Sequence, residues 1–300
     1  WDVSTGQLPH GGSSAGAPLK ITDWRGFLAP MSATAPTPLG STAWPASGRT
    51  TDNPGGTVGT GSPRVYGVLH LSDRNKDNQQ AFAARKDWSK IPAILAGQWP
   101  TAIPPRYILT EDGQWGEAES WFKTLRETAS ALYVDTEYLP DGKMTVLGLG
   151  WTITPPTLQT RPVGGLQIQW LTSPVSSWVR AKLCNELQRT IHEVPCVFHN
   201  AVADIPILEA NMGVAPDSYF QIHDTMLAHA ALWSELPHDL EFLASIYGQY
   251  PKLKHLAHTD IMLYNWGDVL ATIDVWNTLE KELQNDVGSY GVYRDQLLPL

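Results

Sequence analysis

The sequence predicts an α/β fold for residues 105–289, with a mixed central sheet flanked by helices, preceded by a partial or poorly ordered N-terminal region. Short apolar runs, typical of buried strands, alternate there with longer amphipathic stretches, typical of helices. An Asp-Gly pair at 141–142 separates two of the apolar runs and is a strong hairpin signal. Nineteen glycine and proline residues fall before residue 66, in a stretch without sustained periodicity. We therefore expect the organised domain to begin near residue 105.

The pattern of apolar residues predicts the elements in order along this domain. Strands are predicted at 106–110, 131–138, 144–153, 166–172 and 196–199. Helices are predicted at 115–125 and 177–190, from residue 201, and from 264 to 284. The order gives three antiparallel-type strands, a crossover helix, a further strand and then mostly helices, which predicts a mixed sheet.

Composition excludes some classes of function. The formal net charge of −9 argues against broad electrostatic adhesion to nucleic acid or to anionic membranes. It does not exclude a nuclease whose site is a carboxylate cluster filled by cations. No apolar run reaches the ~18 residues of a membrane span, and no signal segment opens the chain. Cys184 and Cys196 are predicted to be buried thiols, so we expect a cytoplasmic protein from a bacterial or phage-like context.

Asp135 and Glu137 stand at the end of the apolar run 131–138. Residues two apart on a strand point to the same face, so both carboxylates project into one space. Two such charges repel each other, and a divalent cation removes that conflict because hard cations prefer carboxylate oxygen. The pair predicts half of a metal site, although such a pair alone is more often a solvated strand end.

Two further acids occur in fitting local settings. Asn200 and Asp204 are four apart at a strand-to-helix junction, and Tyr264 and Asp268 are four apart on the late helix. Residues with this spacing share a helix face. Asn200 is as well placed to cap the helix as to contact substrate, and Tyr264 has the alternative interpretation of a core aromatic.

These motifs resemble the proofreading 3′→5′ exonuclease domain of family A, DNA polymerase I-like, polymerases, in the DEDDy group with an RNase H-like (DnaQ-like) fold. Its Asp-x-Glu motif corresponds to 135–137, its Asn-x-x-x-Asp motif to 200–204 and its Tyr-x-x-x-Asp motif to 264–268. The resemblance covers roughly residues 105–290. Ala203 departs from it, because the family usually has an aromatic residue before the second-motif Asp.

The resemblance implies a two-metal-ion mechanism that uses two divalent cations, Mg²⁺ or Mn²⁺. Asp135 would bridge both ions, Glu137 and Asp268 would complete the shell of the first, and Asp204 would hold the second through water. Tyr264 would orient the attacking water, since a phenol is a poor base at neutral pH. Substrate contacts are expected from Thr136, Tyr138, Leu139 and Asn200.

The implied substrate is a single-stranded or frayed DNA 3′ end, shortened with release of nucleoside monophosphates. The implied partner is a C-terminal polymerase domain, of which residues 290–300 would be the start. No membrane partner is expected. The chain begins at Trp1, which we take as the mark of a fragment of a longer protein.

Residues 1–95 more weakly resemble the C-terminal half of a family 4-like uracil-DNA glycosylase. The similarity lies in a Thr-Gly at 5–6, an Ile-x-x-Trp-Arg-Gly at 21–26 and a Leu-His-x-Ser at 69–72, where Leu71 replaces the usual proline. The half that carries the uracil pocket is missing, so we expect a remnant without base excision, joined by a linker at 96–104.

Three other functions stay open. An RNase D-like RNA exonuclease would use the same carboxylates, and contacts to the 2′-OH would distinguish it. A catalytically silent DNA-binding module would channel DNA without cutting it, although such a module has no physical reason to keep four mutually repelling acids. A structural fragment is the third alternative.

Overall fold

The computed structural model describes residues 28–30, 64–66, 78–97, 100, 103–153, 164–250 and 253–298. Two short strands, β1 (Leu28–Pro30) and β2 (Arg64–Tyr66), pair antiparallel and form a separate small sheet. The glycosylase-like motifs at 5–6, 21–26 and 69–72 lie outside the described residues.

A six-stranded sheet forms the centre of the domain. Its strands are β3 (Tyr107–Leu109), β4 (Ala129–Tyr138), β5 (Met144–Ile153), β6 (Gly164–Gln169), β7 (Cys196–Phe198) and β8 (Ile222–Asp224). The spatial order is β3-β6-β5-β4-β7-β8. Strand β5 is antiparallel to both neighbours, and the other neighbouring pairs are parallel. The predicted mixed, RNase H-like sheet is confirmed; β6 is shifted from the predicted 166–172 because residues from Trp170 onward turn away.

Helices cover both faces of the sheet. They are α1 (Asn78–Leu95), α2 (Trp115–Thr128), α3 (Ser177–Glu193), α4 (Ala201–Met212), α5 (Thr225–Leu232), α6 (Leu240–Tyr247), α7 (Ile261–Asn285) and α8 (Val287–Val292). Within the described ranges, no helix is long and apolar enough to cross a membrane. Both cysteines are free thiols, Cys196 buried and Cys184 partly buried.

The β4–β5 hairpin forms where the Asp-Gly pair predicts it. Gly142 has a φ of +81°, the left-handed region that glycine enters without steric cost. Its amide donates to the Leu139 carbonyl at 2.8 Å, and the Leu139 amide donates to Lys143 at 2.9 Å. The resulting register places Asp135 opposite Gly148 of β5.

Alternate residues of β4 enter two different apolar clusters. Leu132 and Val134 pack with residues of α2, α3 and α4 on one face of the sheet. Ala131 and Tyr133 pack with residues of α5, α6 and α7 on the other. Since side chains alternate along a strand, Asp135 extends the face that α7 covers.

Glycines let α7 lie directly on the sheet. A Cβ added at Gly148 would stand 2.2 Å from Asn265 Oδ1, and one at Gly165 would stand 2.0 Å from the Trp266 ring. Any side chain at these two positions would push the helix away. The close approach brings Asp268 to the end of β4.

Candidate active site

Three carboxylates meet at the C-terminal end of β4, and a fourth lies beside them. One carboxylate oxygen from each of Asp135, Glu137 and Asp268 lies within 4.8 Å of the others. Asp204, in the first turn of α4, is 5% exposed and joins the cluster through Thr136. Its Oδ1 accepts hydrogen bonds from the Thr136 amide at 3.0 Å and from the Thr136 hydroxyl at 2.6 Å. All four residues predicted as metal ligands therefore lie at one place in the fold.

Burial and mutual repulsion shift the titration of the cluster. Burial, followed by the charges of Asp268, Asp204 and Glu137, holds the pKa of Asp135 well above its usual range. Burial is the largest cause for the other three acids as well. It raises the pKa of Glu137 to about 8, of Asp204 to about 7 and of Asp268 to about 6. Without a cation, the cluster retains protons near neutral pH.

Tyr264 lies one helical turn before Asp268, on the cluster side of α7. Burial raises the pKa of Tyr264 further above its usual value, as do the charge of Asp268 and the hydrogen bond between the two residues. The phenol therefore stays protonated at neutral pH, so it can donate a hydrogen bond and cannot act as the base.

Asn265 is a site residue that the motifs did not reveal. It is fully buried, and its Nδ2 donates to Asp135 Oδ2 at 2.7 Å and to the Asp135 carbonyl at 3.2 Å. The available signal was a polar residue beside Trp266, at one of the buried positions of α7, most of which are apolar. Such a residue needs a buried partner, but the sequence does not identify that partner.

The donor set suits a divalent cation. The ligands are hard carboxylate oxygens, and the charges are buried. Among the described residues, no ion pair involves any of the four acids. Within the described ranges, the repulsion between them is therefore not offset by a salt bridge, although the charge of Lys254 acts to lower the pKa of Asp268.

The sequence profile of the 3′–5′ exonuclease family matches residues 114–284, which is more than half of the chain. The chain belongs to the 3′–5′ exonuclease family. The matched range contains all three acidic motifs. It does not reach residues 1–95, and the glycosylase resemblance has no support.

Solved structures of other exonuclease domains resemble the chain at low identity. The EXO domain of Aedes aegypti Nibbler is 11% identical, with 62% of this chain and 93% of that chain covered and a TM-score of 0.44. The RNase domain of yeast Pop2 is 13% identical, with 65% and 95% covered and a TM-score of 0.46. Escherichia coli RNase D is 16% identical, with 63% and 46% covered and a TM-score of 0.40. No curated protein sequence matches the chain.

The residues predicted to contact substrate lie around the exonuclease cluster in different settings. Tyr138 and Leu139 are 44% and 41% exposed, just beyond Glu137 on the same hairpin. Thr136 is buried, and both its amide and its hydroxyl are used on Asp204. The side chains of Tyr138 and Leu139 are therefore accessible from solvent, whereas Thr136 holds the Asp204 carboxylate in place.

Asn200 begins α4, but its side chain does not cap the helix. Its backbone has a φ of +65°, in the left-handed region. The cap is Asp224, which accepts from the Asn200 amide at 3.2 Å and from the Ala201 amide at 2.7 Å. Asp224 also accepts from Met226 at 2.8 Å and so caps α5 as well. This second missed residue fixes the helix that carries Asp204.

Proposed function

We propose that this domain hydrolyses DNA from its 3′ end, one nucleoside monophosphate at a time, in a reaction that depends on two divalent cations, Mg²⁺ or Mn²⁺. The observation that carries the proposal is the convergence of Asp135, Glu137 and Asp268 within 4.8 Å, with Asp204 beside them. Two-metal nucleases use such clusters to clamp the attacking and leaving oxygens of a phosphodiester.

The four carboxylates have distinct places in the proposal. Asp135, Glu137 and Asp268 would hold one cation, and Asp135 and Asp204 would hold the other. When bound, the cations supply charge stabilisation for the phosphate and an activated water. Thr136 fixes one oxygen of Asp204, which leaves the other for a cation or its water.

Tyr264 orients the attacking water in this proposal. Its phenol remains protonated, because burial and the nearby acids raise its pKa. A cavity of about 440 Å³ opens beside it, with lining residues that include Leu240, Tyr250, Leu253 and Asp268. The walls are mixed, since charged residues also line the cavity, and its apolar part suits the sugar and base of a terminal nucleotide.

We propose a single-stranded or frayed end as the form of the substrate. The net charge of −9 argues only against broad electrostatic adhesion to a phosphate backbone. Tyr138 and Leu139 are exposed near the cluster, where stacking on terminal bases would be independent of sequence. Such a preference suits proofreading beside a family A polymerase domain, which we propose as the partner.

The test uses single-stranded DNA labelled at the 5′ end or at the 3′ end, and RNA of the same sequence. Each is incubated with Mg²⁺, with Mn²⁺ or with chelator. Asp135→Ala removes a cluster carboxylate, and Asp217→Ala, at an exposed position, is the matched control.

We expect metal-dependent, stepwise shortening of DNA from the 3′ end, absent in Asp135→Ala and normal in Asp217→Ala. Faster cleavage of RNA than of DNA would replace the DNA assignment with the RNA alternative. Binding without cleavage in the wild-type chain would leave only the DNA-binding module.

A further inference from the structure

A row of buried polar side chains leads across the sheet to Asp135. The register places Gln167 of β6 opposite Gly148 of β5, and Gly148 opposite Asp135 of β4. Directly opposite residues of an antiparallel pair share one face of the sheet. Because Gly148 has no side chain, a gap lies between Gln167 and Asp135, and the amide of Asn265 fills it.

Hydrogen bonds connect the row without interruption. Arg106 Nε donates to Gln167 Oε1. Gln167 Nε2 donates to Asn265 Oδ1 at 2.6 Å and to the Met262 carbonyl at 2.8 Å. Asn265 Nδ2 then donates to Asp135 Oδ2 at 2.7 Å. Gln167 and Asn265 are both fully buried, so neither amide has bulk water as an alternative partner.

The two ends of the row fix its direction. A guanidinium can only donate, so it selects the oxygen of the Gln167 amide. The NH₂ of Gln167 must then point to Asn265, which turns its own NH₂ toward Asp135. An ionised carboxylate can only accept, which is the complementary requirement at the other end. Both amide orientations are therefore determined by Arg106 and Asp135.

We propose that Asn265 is a positioning residue for Asp135, oriented by Gln167 and Arg106, which fixes Oδ2 of that carboxylate and leaves Oδ1 to bind a divalent cation. The proposal deepens the proposed function and rests on it. The described residues offer no hydrogen-bond donor to Asp135 Oδ1. Because Asn265 holds Oδ2, the carboxylate group keeps one orientation, with Oδ1 on the side of Glu137 and Asp268.

Two substitutions test the direction of the row as well as its presence. Asn265→Ala removes the donor to Asp135. Gln167→Glu keeps the side-chain volume and the partner for Arg106, but its carboxylate cannot donate to Asn265. The Asn265 amide then has two options. It turns its NH₂ toward residue 167 and loses the hydrogen bond to Asp135, or its Oδ1 faces the new carboxylate without a hydrogen bond. The control is Asn277→Ala, a buried amide on the same helix whose Oδ1 has no hydrogen-bond partner.

The readouts are the Mn²⁺ dissociation constant by electron paramagnetic resonance, the thermal unfolding midpoint, and kcat and KM on single-stranded DNA. We expect Asn265→Ala to weaken Mn²⁺ binding and to lower kcat by about 10–100-fold, with KM nearly unchanged. Gln167→Glu should weaken Mn²⁺ binding by about 10-fold, although an added negative charge ordinarily strengthens cation binding. Asn277→Ala should change only the unfolding midpoint.

Mn²⁺ binding in Gln167→Glu as tight as in the wild-type chain, or tighter, would overturn the proposal, and this variant decides the question if Asn265→Ala does not fold. A wild-type chain that binds Mn²⁺ but cleaves no nucleic acid would instead defeat the proposed function. The Mn²⁺ affinities of the variants would still decide the role of Asn265.

Discussion

Two groups of buried acids in this molecule differ in what surrounds them. Glu186 on α3 is held between Arg126 of α2, at 2.5 Å, and Arg189, at 3.0 Å. Asp135 and Glu137, at the end of β4, have other acids as neighbours. A buried acid beside arginines is part of the packing between helices, whereas buried acids beside other acids either retain protons or bind a cation from outside the chain. The contrast separates a structural acid from the acids that we propose are catalytic.

The largest expected effect is that of Asp135→Asn on catalysis. Loss of a cation ligand removes several kcal/mol of charge stabilisation, which corresponds to a decrease in kcat on the order of 10³-fold. Because the substitution also removes a repelled charge, we expect the cation-free protein to be as stable as the wild type or more stable. Urea denaturation measures the stability, and single-turnover cleavage measures the rate. A marked loss of stability in Asp135→Asn would contradict the expected separation of the two effects.

Glu186→Gln should show the opposite behaviour. Among the described residues, removing the charge of Glu186 leaves Arg126 with only the more distant carboxylate of Glu193, at 4.0 Å, and we expect a loss of up to roughly 3 kcal/mol in the free energy of unfolding. The kcat of the folded protein should stay within about twofold of wild type, because the pair does not touch the cluster. Low activity in a fully folded Glu186→Gln protein would contradict the division into structural and catalytic acids.

Gly148→Ala and Gly165→Ala place the same extra methyl group under α7 at different distances from the acids. Both should cost about 1–3 kcal/mol of stability through overpacking against the helix. Only the methyl at 148 meets Asn265, so only that variant should also lose about 10–100-fold in kcat. Equal kcat values in the two variants would mean that helix displacement alone accounts for the effect.

Tyr264→Phe should have a smaller effect on the catalytic side. Loss of one hydrogen bond from the phenol is worth about 0.5–1.5 kcal/mol, so kcat should fall about 10-fold. The Mn²⁺ dissociation constant should hardly change, because the phenol is not a ligand. A large loss of Mn²⁺ affinity in this variant would assign Tyr264 a structural role.

The last expected effect is that of pH on the stability of the cation-free protein. The pKa values of Glu137, Asp204 and Asp268 are raised to about 8, 7 and 6, above the values near 4 of an unfolded chain. The folded state therefore binds more protons between pH 4 and pH 8, and its stability should fall as pH rises through that window. Added Mg²⁺ should restore stability most at pH 8. Urea midpoints measured with chelator and with Mg²⁺ test the sign of both changes.

The sequence was sufficient to predict the parts of the site that depend on local spacing. Strand alternation predicts that Asp135 and Glu137 share a face, and helix periodicity predicts the same for Tyr264 and Asp268, whereas their roles are implied by the family resemblance. Asn265 and Gln167 could not be predicted, because their roles depend on the register that sets Gln167 opposite Gly148 and Gly148 opposite Asp135. Register is a property of three strands together.

The fold shows the same division. The Asp-Gly turn and the β4–β5 hairpin were predictable from turn chemistry alone. The end of β6 was not, because the turn at Trp170 replaces a strand that apolar residues would have continued to 172. Asn200 was as well placed to cap α4 as to contact substrate, and the cap is supplied by Asp224 from another strand. In each of these cases, a tertiary contact replaced a local preference.

Anomalous diffraction from crystals of the chain soaked in Mn²⁺ tests the central claim most directly. The account predicts two peaks at the end of β4, one among Asp135, Glu137 and Asp268, the other between Asp135 and Asp204. Peaks confined to other acids on the surface, with the β4 cluster empty, would contradict it.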